Sequence, residues 1–358
     1  MHNKSRLKIW VCEYVSAGGL ASHVLPASLL QEGLLMRDAL LADLSALGVD
    51  CITSHDSRVA VPVNAQSLPV HAGDDVYAVW HNQLSAHDID ACWVIAPETG
   101  GILFEMHEMA QRDGLSWIGC SAEAIRDTSA KSRMTDLCEQ AGIPVLPSVF
   151  LEQVNAFQDL AWYDHALTYG WVVKPDDGAG CEFTYYFKNI KELSEFKVKI
   201  NKNLSNPERL LLQPYLPGRA LSMSVISTSN EVKVVAGHQQ SVHIQEGAFV
   251  FNGAGVNEAA DYLPAMQQMA ERVHHAIPGL VGYWGADMIL TADGQLTLVE
   301  VNPRLTTPYI GLSKLCAENP AQMILDAILK QKIPAVQAQS SFTLTLPSPT
   351  LEKETLPV

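Results

Sequence analysis

Residues 285 to 304 constrain the fold most, because their pattern predicts a hairpin that brings acidic side chains together. The stretch reads GADMILTADGQLTLVEVNPR, and Asp293-Gly294 between its two β-rich runs is typical of a two-residue turn. Such a turn sets Asp287 directly opposite Glu300 across the hairpin. Because side chains alternate faces along a strand, Asn302 points the same way as these two carboxylates.

The three oxygen-bearing side chains indicate a cation site. The hairpin is otherwise apolar on both faces, and two facing carboxylates are unfavourable there unless a cation lies between them. Carboxylate oxygens suit Mg²⁺, which completes its coordination with waters and substrate phosphates. The alternative, that Asp287 and Glu300 are merely solvated strand ends, stays open because a one-residue bulge would change the register. We therefore expect Asp287, Glu300 and Asn302 to be metal ligands.

A second motif, WVVKPDDGAGC at residues 171 to 181, is typical of a strand that ends in a phosphate-binding turn. Lys174 stands at the end of the apolar run, and the backbone N–H groups of Gly178-Ala179-Gly180 can approach a phosphate closely. Lys131 precedes an amphipathic segment that ends at Gly142. Taken singly, these motifs also fit a surface turn and a solvated helical lysine.

The segment LLLQPYLPGRALSMSV, residues 210 to 225, predicts a connector between two lobes. Pro214 and Pro217 interrupt strand-like runs there. A connector of this kind can offer free backbone groups to the edge of an adenine ring.

The chain divides into an N-terminal part of alternating strands and helices and a more β-rich remainder. Apolar runs at Lys8 to Cys12 and Ala91 to Ala96, with a helical pattern from Ala27 to Leu47, predict an open, mostly parallel sheet through about residue 125. After about residue 142 we expect a mixed α+β part. The last residues, from about 335, are expected to hold one strand and a loose tail.

Composition limits the partners. The 358 residues carry 24 Lys and Arg against 39 Asp and Glu, a net charge of -15, which gives no basic surface for nucleic acid or an anionic membrane. No apolar stretch reaches the roughly 18 residues of a spanning helix. The seven cysteines form no C-x-x-C pair and fit reduced thiols in a cytoplasm. We expect a cytoplasmic protein that binds neither nucleic acid nor membranes.

In their order along the chain, Lys131, KPDDGAG, LQPYLPG, Asp287 and EVNPR resemble the ATP-grasp superfamily of carboxylate-amine ligases. The resemblance covers roughly residues 5 to 332. The segments EYVSAGGL and VEVNPRLTTPYIGL are similar to a narrower group, the tyramine-glutamate ligases of methanofuran synthesis and related proteins of methylotrophic bacteria. The ATP-grasp resemblance implies a Rossmann-like pre-ATP-grasp domain at residues 1-125 and an ATP-grasp N-lobe with a glycine-loop lid at 126-212. It also implies a C-lobe with the metal site at 213-335 and a C-terminal strand and tail at 336-358.

The resemblance also implies a role for each motif. The ATP phosphates would be contacted by Lys131 and Lys174, and the mobile lid would be formed by Gly178, Ala179 and Gly180. The adenine hinge would contain Gln213, Tyr215 and Leu216. Two Mg²⁺ ions, with Mn²⁺ as a substitute, would be bound by Asp287, Glu300 and Asn302, and the acyl phosphate would be steadied by Arg304. Ala220 replaces an acidic residue that binds the ribose in many members, so the ribose contact is unassigned.

The acceptor side is implied to lie at the strand ends of the N-terminal domain. The residues expected to line the carboxylate or amine pocket are Glu13, Ser16, Gly18, Gly19, Glu98 and Thr99, with Arg58 beside them. Glu13 is expected to receive the ammonium of the incoming amine. Gly18-Gly19 stands well before the next helix and lacks the GxGxxG pattern, which disfavours an NAD(P)-dependent dehydrogenase.

The implied reaction joins a small-molecule carboxylate, glutamate in the narrower group, to an amine through an acyl phosphate. ATP is converted to ADP and phosphate, in a pathway of the methylofuran type. A non-catalytic ATP sensor on the same fold is the main alternative, although it would be expected to have lost a metal ligand. An interaction scaffold would leave the facing carboxylates unexplained. A homodimer stays open as the assembly.

Overall fold

The structure, a computed structural model, describes residues 6–178, 180–181, 183–203, 209–334 and 338–346. Its strands are β1 (Lys8–Glu13), β2 (Asp50–Asp56), β3 (Gln66–Val70), β4 (Ala91–Ile95), β5 (Ser116–Trp117), β6 (Val149–Phe150), β7 (Trp171–Pro175), β8 (Tyr185–Phe187), β9 (Leu210–Pro214), β10 (Arg219–Ser227), β11 (Val232–Gln245), β12 (Ala248–Val256), β13 (Gly282–Leu290), β14 (Leu296–Asn302) and β15 (Phe342–Thr345). Its helices are α1 (Ala27–Ala46), α2 (Val76–Ala86), α3 (Ile102–Arg112), α4 (Ala122–Ser129), α5 (Lys131–Gln140), α6 (Tyr163–Tyr169), α7 (Ile190–Asn203), α8 (Leu263–Ala276), α9 (Tyr309–Leu315) and α10 (Pro320–Lys330). None of these described helices is long and apolar enough to cross a lipid bilayer.

The N-terminal strands form a parallel sheet in the order β3-β2-β1-β4-β5, as the alternating pattern predicted. Helix α1 covers one face and α2 covers the other, each through apolar side chains. Because all strands run the same way, their carboxyl ends lie at one edge of the sheet. Glu13 ends β1 at this edge, and Glu98 follows β4 there.

The remaining strands form an antiparallel sheet in the order β14-β13-β10-β11-β12-β8-β7-β9-β6, and β15 pairs with β12. We call β6 to β9 the N-lobe strands and β10 to β15 the C-lobe strands. The two groups meet at the pair Ala248–Tyr185 of β12 and β8. The sheet is therefore continuous, although the contact between its two halves is narrow.

The N-lobe has a hydrophobic core of its own. Trp171 of β7 is fully buried there, and the rings of Phe157, Trp162 and Tyr163 surround it at centroid distances of 5.6, 5.5 and 5.9 Å. In contrast, Trp10 of the N-terminal sheet belongs to the same core as many C-lobe side chains. The N-terminal domain and the C-lobe are thus packed as one body, against which the N-lobe is a separate unit.

The hairpin of β13 and β14 pairs Asp287 with Glu300, as predicted, but by a different route. Its loop is residues 291–295, and the predicted two-residue turn is wrong. Thr291 at the loop's start donates from its backbone N–H and hydroxyl to the carbonyl at its end, at 3.0 and 3.1 Å. Near the loop the longer connection shifts the strand register by one residue from the predicted one, so that Met288 pairs with Leu298. The bulge at Val299 then restores the predicted register, so that Asp287 pairs with Glu300.

A buried chain of hydroxyl groups crosses the C-lobe sheet from His238 of β11. The Asn257 N–H donates to His238 Nδ1 at 3.1 Å, so the ring proton lies on Nε2, which is 2.9 Å from Ser224 Oγ. Ser224 bonds the Tyr283 hydroxyl at 2.7 Å, and Tyr283 bonds Thr306 at 2.8 Å. Protonated His238 would turn a second N–H toward the Asn257 donor, so the buried ring stays neutral.

We expect His238 to make stability depend on pH. Burial lowers its pKa from 6.5 to about 3, so below about pH 6.5 the unfolded chain takes up a proton that the folded protein does not. At pH 5 the free energy of unfolding should be lower by about 2 kcal/mol from this residue. Urea unfolding of wild type and His238→Gln between pH 7 and 5 measures it. Near pH 5 the variant should take up about one proton fewer on unfolding than wild type, so its free energy of unfolding should change less between pH 7 and 5. Equal pH dependences of the two proteins would contradict the assignment.

Candidate active site

The hairpin brings together the three side chains predicted to bind a metal. Asn302 Nδ2 donates to Asp287 Oδ2 at 3.3 Å, and Glu300 faces Asp287 from the neighbouring strand. Gln240 of β11, which the sequence did not single out, donates to Asp287 Oδ1 at 2.8 Å. The convergence of Asp287, Glu300 and Asn302 is confirmed, whereas their metal-binding role stays a prediction.

The environment of Asp287 fits a divalent cation. Burial, reinforced by the charge of Glu300, raises the pKa of Asp287 from 3.8 to about 7. A cation between the carboxylates would remove this repulsion and favour the charged form. No group of three His, Cys, Asp or Glu side chains stands ready to hold a metal among the described residues. Two carboxylates and an amide suit Mg²⁺, which takes few protein ligands and keeps waters and phosphates.

Two buried lysines face these carboxylates. Lys131 Nζ lies 3.4 Å from Glu300 Oε1 and donates to the Gly178 carbonyl. Lys174 is the second-last residue of β7 and is only 5% exposed. Burial, together with the charge of Lys131, lowers the pKa of Lys174 from 10.5 to about 8, although Glu300 opposes this shift. The cleft therefore concentrates cations locally within a strongly acidic chain.

Asp176 connects the two lysines, and sequence reasoning missed it. Lys131 is the first residue of α5, where the helix dipole disfavours a cation. The Asp176 carbonyl accepts from the Lys131 N–H at 2.9 Å, and its carboxylate accepts from the Ser132 N–H at 2.8 Å. Asp176 follows Lys174 by two residues, so one short segment positions both lysines. Its capping role was hidden because the helix lies far away in sequence.

The glycine loop after Lys174 contacts the N-terminal domain. Asp177 accepts from the Gly100 N–H at 3.2 Å and forms an ion pair with Arg209 at 2.7 Å. Gly180 has a φ of 62°, a left-handed conformation that favours glycine. Ala179, which was predicted with Gly178 and Gly180 to lie in the lid, falls outside the described residues.

At the predicted adenine hinge, the backbone of Tyr215 is already bonded within the protein. Its N–H donates to the Gly170 carbonyl at 2.9 Å, and its carbonyl accepts from His165 Nε2 at 3.0 Å. Gln213 is buried in β9, and Leu216 is the second residue after the strand. The Tyr215 N–H is therefore not free for an adenine edge. The roles of Gln213 and Leu216 stay predictions.

Arg304 follows β14 and pairs with Glu98 of the N-terminal domain. Arg304 Nε lies 3.1 Å from Glu98 Oε1 and 3.2 Å from Oε2, and Nη2 lies 3.2 Å from Oε2. Arg304 Nη1 also donates to the Leu305 carbonyl at 3.2 Å. Glu98 is 5% exposed, and the hydroxyl of adjacent Thr99 is buried with no partner among the described residues. Glu98 thus holds Arg304 in place.

The N-terminal loop predicted to line the acceptor pocket is a packed turn. Both oxygens of Glu13 are engaged, because the Val15 and Ser16 N–H groups donate to them at 3.3 and 2.7 Å. Ser16 is fully buried. A side chain at Gly18 would come within 2.6 Å of Val70, and one at Gly19 within 2.5 Å of the Tyr14 ring.

The contacts of this loop favour a structural role over a substrate-binding role for Glu13, Ser16, Gly18 and Gly19. The same holds for Arg58. Its guanidinium donates to Asp56 at 2.6 Å and to the carbonyls of Leu20 and His23 at 2.8 and 2.7 Å.

Comparison with known proteins shows which sequences and folds this chain resembles. The chain is 25% identical over 305 residues to a tyramine–L-glutamate ligase of Methanocaldococcus jannaschii, covering 84% of this chain and 83% of that protein. An ATP-grasp superfamily protein from Archaeoglobus fulgidus shares the fold, with a TM-score of 0.66 at 17% identity, covering 95% and 99% of the two chains. An L-amino acid ligase from Bacillus licheniformis gives 0.62 at 15% identity, covering 91% and 74%.

Two family models match parts of the chain that carry the two sheets. Residues 49–125 match a pre ATP-grasp 3 domain. Residues 129–308, half of the chain, match an ATP-grasp domain, and they contain both lysines, the facing carboxylates and the arginine. The chain therefore belongs to the ATP-grasp family.

Proposed function

We propose that this protein is an ATP-dependent ligase that joins a carboxylate to an amine through an acyl phosphate. The observation that carries the proposal is the cluster of buried Lys131 and Lys174 against the partly buried Asp287 and Glu300. Buried charges of both signs, close together in a cleft, are costly for a fold and suit a phosphorylated ligand with its cation. The domain boundaries expected from the sequence belong to the same proposal.

In this proposal Asp287, Glu300 and the Asn302 amide oxygen would hold two Mg²⁺ ions, with Mn²⁺ as a substitute. Bound there, the metal would neutralise charge on the transferring phosphates. Lys131 would release the Gly178 carbonyl and bind phosphate. Lys174 would also bind phosphate, from its position near the end of β7. Gly178, Ala179 and Gly180 would close over the phosphates.

The reaction has two steps. A carboxylate oxygen of the substrate attacks the γ-phosphorus of ATP, and the bond to the ADP oxygen breaks. The amine, after its ammonium form has released one proton to solvent, attacks the acyl carbon with its nitrogen lone pair. Phosphate leaves with the attacking carboxylate oxygen, and the nitrogen gives one further proton to the departing phosphate, which leaves the amide. The protein does little covalent work here, so positioning and charge neutralisation provide most of the catalysis.

Arg304 would steady the acyl phosphate through the N–H groups that Glu98 and Leu305 leave free. Because Glu98 accepts two bonds from Arg304 at Oε2, and its Oε1 is buried 3.1 Å from Arg304 Nε, we assign it the positioning of that arginine rather than direct contact with substrate. Thr99, whose hydroxyl has no described partner, keeps a place in the acceptor pocket.

For the substrates we propose L-glutamate, or a similar amino acid, and a tyramine-like amine, as in a cofactor pathway of the methylofuran type. The support is the similarity to a tyramine–L-glutamate ligase over most of both chains. A cytoplasmic location and a homodimer complete the proposal. A similar solved structure, the biotin carboxylase domain of a Hydrogenobacter thermophilus carboxylase, is described as a dimer.

Glu300→Gln should abolish ATP turnover while leaving the protein folded. The amide keeps the size of the side chain but removes the charge that faces Asp287 and pairs with Lys131. We expect ADP release to fall by at least about a hundredfold, the scale expected for one preorganised electrostatic group. Glu139→Gln, the same change on an exposed face of α5, is the matched control. Wild-type turnover in Glu300→Gln would refute the metal assignment.

ADP release should require both a carboxylate and an amine. Purified protein with ATP and Mg²⁺ is tested across amino acids and amines, L-glutamate and tyramine included, with the product identified by mass. Hydroxylamine in place of the amine should give a hydroxamate, because it captures an acyl phosphate. ADP release that is the same without any acceptor would indicate an ATPase and would reject the ligase.

A further inference from the structure

A ligase of this kind must hold the amine beside the acyl carbon, and therefore close to Arg304, which is proposed to steady the acyl phosphate. The N-terminal domain contacts Arg304, and three of its glutamates are candidates to bind the amine. Glu13 ends β1, Glu98 follows β4, and Glu32 lies in the first half of α1. The next residue of α1, Gly33, packs directly on the Glu13 carboxylate, so Glu13 and Glu32 belong to the same region.

Neither Glu13 nor Glu98 offers an accessible oxygen. Both oxygens of Glu13 accept backbone N–H groups of its own loop, and a side chain at Gly33 would come within 2.5 Å of its carboxylate. Glu98 Oε2 accepts from Arg304 Nε and Nη2 at 3.2 Å. Glu98 Oε1 accepts no hydrogen bond among the described residues, but it is buried and lies 3.1 Å from Arg304 Nε. An incoming ammonium would have to break the bonds of Glu13 or displace Arg304 from Glu98.

Glu32 differs, because one of its oxygens is still available. The Thr307 hydroxyl donates to Glu32 Oε1, and within the described part of the chain no donor reaches Oε2. The side chain is half-buried, so the free oxygen is neither sealed in the core nor fully in solvent. Thr307 follows Arg304 by three residues, which ties Glu32 to the segment carrying the arginine.

The charge of Glu32 acts on the same cleft as the hairpin carboxylates. Burial raises the pKa of the Cys181 thiol in the glycine loop to about 12, and Asp287, Glu300 and Glu32 all add to the rise. Glu32 also contributes, after Glu98, to raising the pKa of Arg304. These shared effects locate Glu32 between the glycine loop, the arginine and the N-terminal sheet.

We propose that Glu32 binds the ammonium group of the amine substrate, with Thr307 fixing the orientation of its carboxylate. The inference rests on the proposed ligase function and extends it to the choice of amine. A half-buried carboxylate with one free oxygen favours a compact cation that carries several N–H donors. Since Glu98 already neutralises Arg304, this side of the cleft selects cationic amines over neutral or acidic ones.

The test compares tyramine with hydroxylamine, with L-glutamate as the carboxylate. Tyramine carries an ammonium group at neutral pH, whereas hydroxylamine is mostly uncharged. Glu32→Gln should raise the KM for tyramine by about tenfold to a hundredfold, the fold-change for losing one charged hydrogen bond. The KM values for ATP and L-glutamate, and hydroxamate formation, should stay within about twofold of wild type. Glu32→Asp should recover part of the tyramine affinity, and Glu139→Gln should match wild type.

The outcomes separate the two claims. Wild-type protein that forms neither hydroxamate nor an amide would reject the ligase function, and the Glu32 assignment with it. An active wild type together with an unchanged tyramine KM in Glu32→Gln would overturn only the Glu32 assignment. Equal losses with tyramine and hydroxylamine would also overturn it, because they would mean that Glu32 supports the fold rather than binding the ammonium.

Discussion

The arrangement of the cleft depends on the ion pair between Lys131 and Glu300. It joins the first residue of α5 to β14, and the Lys131 ammonium also reaches the glycine loop after β7. Removing one partner of a buried pair costs about 3–5 kcal/mol, because the other charge is left uncompensated. A chain with a net charge of -15 thus retains two buried lysines by placing them against its own carboxylates.

The charges around this ion pair support the proposed binding of phosphate. Lys174 has a lowered pKa because it is buried beside another cation, and Asp287 has a raised pKa because it is buried beside another anion. Opposite charges lie near both groups, but within the described residues neither forms a direct ion pair, and a metal-bound phosphate would supply one to each. The N-lobe has a core of its own, separate from the core that the other two parts share. Asp177 and Gly100 form a contact between the N-lobe and the N-terminal domain.

Much of the site follows from the sequence, since the residues sit in short segments with strong local rules. Alternation of side chains brought Asp287, Glu300 and Asn302 together, and an apolar run delivered Lys174 to a strand end. The predicted pairing of Asp287 with Glu300 was right although the predicted turn was wrong, because the register shifts caused by the longer loop and by the bulge at Val299 are equal and opposite. Neither feature has a distinctive sequence, so the local pattern could not have predicted them.

The sequence was least informative where the contacts of single side chains decide. Glu13 has the position of a substrate ligand, but its carboxylate bonds its own loop and leaves nothing for an ammonium. Glu32 lies within a helical pattern that resembles any amphipathic helix, and only the contact with Thr307, 275 residues away, distinguishes it. Strand β3 (Gln66–Val70) and helix α2 (Val76–Ala86) were not predicted, and β3 is short, mostly exposed and interrupted by Pro69.

Transfer of a carboxylate oxygen to phosphate tests the acyl phosphate most directly. The protein is supplied with ATP, an amine and a carboxylate labelled with ¹⁸O, and the released phosphate is analysed by ³¹P NMR. An acyl phosphate requires that one labelled oxygen leave with each phosphate, because the carboxylate oxygen that attacks phosphorus stays bonded to it. Phosphate without the label, formed at the same rate as amide, would contradict the account.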